Sequence, residues 1–444
     1  MSNWQKVRIG DFLSESKVVS EFPNINRRIT VRLNCNGVEK RKATESKEGA
    51  TKYYIRSAKQ FIYGKQNIHK GAFGIIPKSL DNYETSADLP CFDVDEDICL
   101  PEWIDLSLKA NDFYKSFEQF ARGIGSKRVS VDDFLNIEIL LPSIEKQKEI
   151  LKKQQGVKVF IKDLEAETST QQSLLKQLKQ TILQEAIEGK LTAKWREQNP
   201  DIGTAKELLE QIKIEKEKLI KEKKIKQGKK QTANEIEDLN IEIPDSWLLV
   251  DLDDITQYIT DGTHQTPRYV ENGRMFLSAQ NVKPFKFMPE IYRCVSEEDY
   301  QKYIANRQTE KGDLLLGRVG AGIGETAVVD QDLEFAIYVS LGLVKTFKQF
   351  TNPEYLATVF NSPYGVRYAK GNISSGGGSA GNFNLGRIRS FPIPFPPLEE
   401  QKEIVATIEK LFEICDELES EINQNKTTVE NLMATVLKEA FEQQ

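Results

Sequence analysis

The chain has 444 residues, 39% hydrophobic and 29% charged, with 61 Lys and Arg against 67 Asp and Glu for a formal net charge of −6. That apolar content excludes a wholly disordered chain, and the length suits about three domains at ~150 residues each. The charge balance excludes a uniformly basic nucleic-acid binder but leaves room for a locally basic one.

Histidine occurs only at His69 and His264. This excludes zinc sites built on two neighbouring histidines, HExxH among them, and argues against a Ser-His-Asp hydrolase. The cysteines, Cys35, Cys91, Cys99, Cys294 and Cys415, form no CxxC pair and read as reduced thiols. The start, MSNWQKVRIGDF, has no apolar signal region, and no run approaches the ~20 apolar residues of a membrane span. The expectation is a soluble, cytoplasmic protein.

Residues 1–142 read as a mixed α+β unit. TKYYIRSAKQFIYG and GAFGIIP are short and β-rich, and EWIDLSLKANDFYKSFEQFA has helical spacing. Residues 143–240 read as a long helix, a loop over GKLTAKWREQNPDIG, and a charged helix from about Thr204 to Gln227. The lysine excess of that last helix could touch phosphate, although a solvated face is the commoner explanation. Residues 241–396 form a second α+β unit, with strands in RMFLSAQNV, GDLLLGRVG and TAVVD and helical spacing in NPEYLATVFNSPYGVRYAK. Residues 397–444 read as a second long helix. It is the acidic outlier, with 4 basic and 12 acidic residues.

The chain repeats itself. Residues 142–188 align without gaps to 396–442, with 15 of 47 positions identical, including Pro142/Pro396, Gln147/Gln401, Leu164/Leu418, Thr181/Thr435 and Glu185/Glu439. A shorter echo links WQKVRIGDF at Trp4 to WLLVDLDDI at Trp247. The second copy carries a heptad seam through Ile404, Ile408, Leu411, Cys415, Leu418, Ile422, Asn425, Val429, Leu432 and Val436. The first places Ile150, Gln154, Val157, Ile161, Leu164, Thr168, Gln171, Leu175, Leu178 and Ile182 equivalently. Asn425 and Gln171 share a repeat position, where a polar seam residue commonly fixes register. Each helix would span about 65–70 Å. Neither seam is wide enough for burial all round, so the two helices are expected to pack on each other.

No catalytic motif emerges. GRVGAGIGET (317–326) lacks the last glycine of GxGxxG and the lysine of a P-loop, leaving a tight turn near a phosphate or a plain strand connection. GNISSGGGSAGN (371–382) could offer an amide nest for an anion, or simply connect. Pro200-Asp201 with Glu222-Lys223-Lys224 has the letters of a nuclease core, but its second half sits on the charged helix. FPIPFPPL has prolines without the Asn or Asp of an adenine methyltransferase loop. Asp93, Asp95, Glu96 and Asp97 lack EF-hand spacing and read as a solvated loop.

Basic and amide side chains interleave with aromatics in both units. In the first they are Arg27, Arg28, Lys40, Arg41, Lys42, Lys52, Tyr53, Arg56, Lys59, Arg122, Ser126, Lys127 and Arg128. In the second they are His264, Gln265, Thr266, Arg268, Tyr269, Gln280, Asn281, Arg318 and Arg367. Such groups hold phosphates and read base edges, which makes them candidate DNA-binding residues.

The duplicated plan resembles the specificity subunit of type I restriction-modification enzymes. The resemblance rests on LPSIEKQKEI and FPPLEEQKEI, on EAIEGKLTAKWRE, on WLLVDLDDITQYITDGTHQTP and on KGDLLLGRVGAGIGETAVVD. It implies two target recognition domains, 1–142 and 241–396, each reading half of a bipartite, asymmetric DNA site. The central helical spacer (143–240) and the C-terminal helix (397–444) would pair as an antiparallel coiled coil. That pair would set the half-site spacing and dock two modification (methyltransferase) subunits. The acidic helix is expected to face protein rather than DNA. The resemblance implies no catalytic residue, cofactor or metal in this chain. S-adenosylmethionine is expected on the methyltransferase, and ATP and magnesium on a restriction subunit where one is present. Two other readings stand beside it: a detached fragment of a fused restriction-methylation enzyme, and a coiled-coil adaptor that binds only proteins.

Overall fold

The computed structural model describes residues 4–42, 51–123, 127–226, 228–230, 240–305, 307–374 and 381–442. Its contacts divide the chain into two compact units, Met1–Ser169 with Asn423–Gln444, and Thr170–Ile422.

The first unit runs through β1 (Gln5–Arg8), β2 (Leu13–Ser16), β3 (Ile29–Val31), β4 (Val38–Lys40), β5 (Tyr53–Arg56), β6 (Phe61–Tyr63), β7 (Phe73–Ile75), β8 (Tyr83–Ser86) and β9 (Cys91–Val94). Helices α1 (Pro101–Lys109) and α2 (Val131–Leu135) and strand β10 (Glu138–Leu141) follow, then the long helix α3 (Ile144–Ile187). The helical pattern after Pro101 breaks where Asn111 and Asp112 turn left-handed, and 3-10 turns carry the chain to Phe120. The main sheet has the order β2-β9-β6-β7, while β5 pairs with β8 and β3 with β4. Its core is aromatic: Phe61, Tyr63, Phe92 and Phe134 contact one another over Trp103 and Phe117. Burial pushes the Cys91 and Cys99 thiols up to about 12, which leaves both inert at neutral pH.

The second unit takes in α4 (Ala193–Gln198), α5 (Ala205–Lys221), β11 (Leu248–Asp251), β12 (Thr256–Asp261), β13 (Tyr269–Val270), β14 (Arg274–Leu277), β15 (Val282–Lys283), β16 (Lys286–Phe287) and β17 (Arg293–Val295). It continues through α6 (Glu297–Ile304), β18 (Leu314–Gly317), β19 (Thr326–Val328), β20 (Phe335–Ile337), β21 (Leu341–Thr346), α7 (Pro353–Asn361) and α8 (Pro363–Gly371). β22 (Ile373–Ser374), β23 (Asn382–Phe383), α9 (Leu385–Arg389), β24 (Pro392–Phe395) and α10 (Leu398–Glu442) complete the chain. A sheet β12-β21-β18-β19 stands where the first unit has β2-β9-β6-β7, and β11-β24 stands where it has β1-β10. The second unit adds another four-stranded sheet, β13-β17-β14-β20.

The sequence repeat marks a shared joint. Gln147 is fully buried; its Oε1 accepts from the Leu100 amide at 2.9 Å, and its Nε2 donates to the Pro142 carbonyl at 2.9 Å. Gln401 is fully buried too, accepting from the Asn352 amide at 2.8 Å and donating to the Pro396 carbonyl at 2.9 Å. Leu100 and Asn352 are the N-caps of α1 and α7. One glutamine thus locks each long helix to its own globular domain by satisfying orphan backbone groups. Gln147→Ala and Gln401→Ala are each expected to cost about 1–3 kcal/mol in urea unfolding, because each leaves a buried amide and carbonyl unpaired.

In the second unit, Leu175, Ile182 and Ile187 of α3 share a core with Ile404, Ile408, Cys415 and Ile422 of α10. Lys179 of α3 pairs with Asp416 and Glu419, whereas Arg196, further along the chain, reaches back to Glu400, so the helices run antiparallel. One seam column is buried at seven-residue steps, Ile161, Thr168, Leu175 and Ile182. The other column is looser, with Leu178 44% and Leu418 40% exposed. Gln171 is half-buried and Asn425 exposed, so these two are not a matched pair of core polar residues.

Two expectations for the connection need correction. GKLTAKWREQNPDIG is not all loop, since it folds into α4, held by Arg196 and Thr192 donating to the buried Glu400. The charged helix stops at Lys221, after a Thr204–Glu207 capping box at its start, because Lys223 turns left-handed at φ 57°. Gln227 lies outside the described residues. Lys216 and Lys230 of this stretch are not free for phosphate: Lys216 reaches Asp253, and Lys230 reaches Asp251 at 2.7 Å and Asp254 at 2.9 Å.

Candidate nucleic-acid interface

The registers of the two main sheets match apart from a bulge at Thr256–Tyr258, which β2 lacks. Phe61 pairs with Phe92 and Ile75 as Leu314 pairs with Val344 and Val328. Carrying the register forward sets Gly64-Lys65 against Gly317-Arg318, and Lys17 at the end of β2 against Asp261 at the end of β12. The loop before the short helix matches as well. The Val129 amide donates to the Lys65 carbonyl at 2.9 Å, and the Phe383 amide to the Arg318 carbonyl at 2.9 Å. Ser130 and Asn384 then cap α2 and α9. The same place in both frames therefore gathers candidate side chains.

In the first unit this place is an open cleft of about 780 Å³ lined by Lys17, Tyr54, Arg56, Lys65, Arg122 and Arg128, with Glu15, Asp132 and Asp133 as its acids. Arg122 and Arg128 face each other across reciprocal backbone hydrogen bonds of 2.9 Å, which close the loop between them. Arg122 is 82% exposed, 3.7 Å from Asp133, and Arg128 is 48% exposed, 3.1 Å from Asp88. Such exposed pairs hold little energy and exchange readily for a stronger anion. Lys127 is exposed in the same loop, and Ser126 lies outside the described residues.

Arg56 is different. It is 2% exposed, and its guanidinium donates to Thr85 Oγ1 at 2.7 Å, the Ser16 carbonyl at 2.7 Å and the Leu89 carbonyl at 3.3 Å. All three acceptors are neutral, so the charge under the cleft has no carboxylate bound to it among the described residues. Burial pulls this guanidinium below its ordinary value, yet arginine stays charged in proteins. As a base reader, Arg56 is corrected by its burial: it braces the cleft floor and supplies field.

The remaining first-unit candidates gather elsewhere. Side chains alternate along β5, so Tyr54 and Arg56 face the cleft while Tyr53 faces the other way. Arg28 stacks on Tyr53 at 3.3 Å, and Lys52 lies 5.9 Å from the Tyr54 ring. Arg27, Lys40, Arg41 and Lys42 are exposed around the β3–β4 hairpin. Lys59 is not part of either group; it is tied to Glu96 at 2.8 Å. Asp93, Asp95, Glu96 and Asp97 are exposed, and the described residues contain no cluster fit to hold a metal ion.

In the second unit the equivalent place is closed by an internal ion pair. Arg318 is 4% exposed, bonded to Asp261, to the Phe383 carbonyl at 3.0 Å and to the Val339 carbonyl at 3.1 Å. Burial lowers its pKa, with Asp261 opposing. Its nitrogens are spent inside the fold, so Arg318 positions the β22–β23 turn instead of contacting a ligand. Asn281 is likewise corrected: it is 1% exposed and donates to the Met288 carbonyl at 2.8 Å and the Ile291 carbonyl at 2.7 Å.

The accessible groups are His264, 69% exposed and 3.1 Å from the shared Asp261, with Gln265, Thr266, Arg268 and Tyr269 exposed after it. Arg293 stacks on Tyr269 at 4.5 Å. Gln280 is exposed on its own turn, and Arg367 is exposed on α8; burial opposes the lowering of the Glu188 pKa, which Lys190 and Gln184 drive and Arg367 aids least. The GRVGAGIGET stretch is a connection between β18 and β19. Its Gly317 amide donates to Glu325 and its Gly324 amide to Gly317, each at 2.9 Å, so those amides are not open to an anion. Of GNISSGGGSAGN, residues 375–380 lie outside the described residues. Sequence reasoning missed Lys17, Tyr54, Lys65, Asp261 and Asn382. Only the Gly-Lys and Gly-Arg pairs after FIY and LLL hinted at the equivalence.

Comparisons agree with this duplicated plan. The profile of the type I restriction modification DNA specificity domain matches residues 1–177 and 244–426. The EcoAI specificity subunit of Escherichia coli is 27% identical over 294 residues, covering 59% of this chain and 44% of that protein. The EcoKI specificity subunit of Escherichia coli K12 is 23% identical over 340 residues, covering 75% and 63%. The alignments thus span about half the length of these relatives, from 44% to 63%. Among solved structures, the HsdS subunit from Thermoanaerobacter tengcongensis superposes with a TM-score of 0.56 at 16% identity, covering 99% of this chain and 96% of that one. A chain from a structure of complex assembly in the type I R-M system reaches 0.63 at 15% identity, covering 99% and 97%. At that identity the two structures speak for the fold. With two specificity domains matched in one chain, the protein belongs to the type I restriction-modification DNA specificity family.

Proposed function

We propose that this chain is the non-catalytic DNA-recognition subunit of a type I restriction-modification complex, each globular domain reading one half of a bipartite, asymmetric site. One observation carries the reading. The two domains share a four-stranded main sheet, but the place it frames differs: an open cleft lined by Lys17, Lys65, Arg122 and Arg128 in one, and exposed His264, Gln265, Thr266 and Arg268 beside the internal Asp261–Arg318 pair in the other. A common frame with different reading groups is what two different half-sites require.

The long helices would set the half-site spacing and dock two modification subunits. Leu174 (58% exposed), Leu178, Ile414 (54%) and Leu418 supply apolar contact area for that docking. Methylation, with S-adenosylmethionine, and cleavage, with ATP and magnesium, would reside in partner subunits. The complex would work in the cytoplasm on double-stranded DNA. The test is to purify the chain with the modification subunit and weigh the complex by native mass spectrometry, with and without DNA. Two modification subunits per chain and retention of duplex DNA are expected. Assembly without DNA retention would leave the protein-only adaptor.

A further inference from the structure

We propose that Phe22 is an aromatic wedge that stacks on a DNA base step, presented on a pinned loop and flanked by phosphate-binding cations. The inference rests on the DNA-recognition reading above. It adds a second contact, on the face of β5 opposite the cleft.

Phe22 is 88% exposed. The loop that carries it is not slack. Ser20 donates its amide to the Tyr53 carbonyl at 2.9 Å and its hydroxyl to Glu84 Oε1 at 2.9 Å. On the other side of Phe22, the Asn24 amide donates to Glu84 Oε2 at 2.9 Å. Glu84 is 5% exposed, so both flanks of Phe22 are tied to one buried carboxylate. Pro23 stiffens the segment, and Asn24 caps the next turn by accepting from the Asn26 amide at 2.9 Å and the Arg27 amide at 3.0 Å. The backbone on both sides of the ring is thus anchored. A bulky apolar side chain exposed to this degree adds little to the core.

Its surroundings select the occupant. Arg28 is spent on Tyr53 and Glu84, but Arg27 is exposed at the end of the capped turn. The Arg41 amide donates to the Arg28 carbonyl at 2.8 Å, which brings the end of the β3–β4 hairpin beside that turn. Lys40, Arg41 and Lys42 are exposed there, and none is ion-paired among the described residues. Glu21 is the one carboxylate on the loop itself. An exposed aromatic ring on the same side as cations that form no ion pair among the described residues suits a polyanion with π faces. Apolar wedges of this kind enter base steps while neighbouring cations hold the phosphates.

The test uses the chain assembled with its modification subunits. The probe is a duplex carrying the motif that the wild-type complex methylates, with 2-aminopurine at successive positions of each half-site. Wild type is expected to change the fluorescence at one step, and Phe22→Ala to abolish that change. Phe22→Ala is also expected to weaken binding about 10- to 100-fold, the range for one lost base–aromatic stack. Phe22→Trp should keep both, and an unchanged melting temperature will show that neither variant disturbs the fold. Replacing Lys40, Arg41 and Lys42 by alanine should keep the fluorescence change but reduce the salt slope of binding by about 2–3. Wild-type binding and fluorescence in Phe22→Ala would overturn the wedge. So would a Phe22→Ala complex that loses its modification subunits, which would make Phe22 a protein contact. Failure of the wild-type complex to bind any duplex would instead bring down the recognition reading on which the wedge depends.

Discussion

Glu400→Ala is expected to destabilise the second unit by about 3–5 kcal/mol, the range for removing one partner of a buried ion pair. Glu400 is fully buried. One oxygen accepts from Thr192 Oγ1 at 2.8 Å and from Arg196 Nε at 2.9 Å, and the other accepts from Trp247 Nε1 at 2.8 Å. Arg196 also reaches the Gly189 carbonyl at 2.6 Å and lies 5.6 Å from the Trp247 ring. The network explains why EAIEGKLTAKWRE follows the first long helix: Gly189, at φ 70°, turns the chain so that Thr192 and Arg196 return to the start of α10. Alanine would take their shared acceptor from a half-buried guanidinium, a buried hydroxyl and a buried indole N–H. Glu400→Gln should lose less, since an amide oxygen still accepts from part of the set. In the first repeat copy Lys146 stands at this position, half-exposed and 2.9 Å from Glu149, and Lys146→Ala should fall within about 0.5 kcal/mol of wild type. Urea unfolding of the three variants checks the ranking. Equal effects at 146 and 400 would contradict it.

The double substitution Arg122→Ala, Arg128→Ala should weaken specific DNA binding by about 2–4 kcal/mol, on the order of 30- to 1000-fold. The stability cost should be small. Both arginines pair with carboxylates in exposed positions, and the bonds that shape their loop are backbone to backbone. The loss divides by mechanism. An arginine on a base edge relaxes the sequence requirement at one position, whereas an arginine on phosphate lowers the salt slope by about 1 and affects all sequences alike. Competition binding over a salt series separates the two. Arg56→Ala serves as the contrast, because it should lower the melting temperature by removing a guanidinium that ties Thr85, Ser16 and Leu89 together. Undiminished binding by the double variant would remove the cleft from the interface.

The duplication was legible because each copy is one contiguous stretch of chain. Proline helix starts and apolar steps of three and four lie within each copy, and identical residues recur at one fixed offset between the two. Gln147 and Gln401 were visible as repeated letters, but their role was not, since their partners Leu100 and Asn352 lie 47 and 49 residues away. The same limit governs the candidate interface. Arg56, Arg318 and Asn281 have the side chains of DNA readers, and only non-local packing shows that they bond inside the fold. Lys65 and Arg318 became equivalent only through strand register, which no linear window displays. The second seam column reads as core by spacing, yet Leu178 and Leu418 are partly exposed, because two helices alone cover one column better than both.

The most direct measurement is to express the chain together with its modification subunit and sequence the host genome for N6-methyladenine. A single bipartite, asymmetric motif that appears only when this chain is present is expected, and substitutions in one globular domain should alter only one half of it. Methylation that is absent, or unchanged when the chain is deleted, would contradict the account.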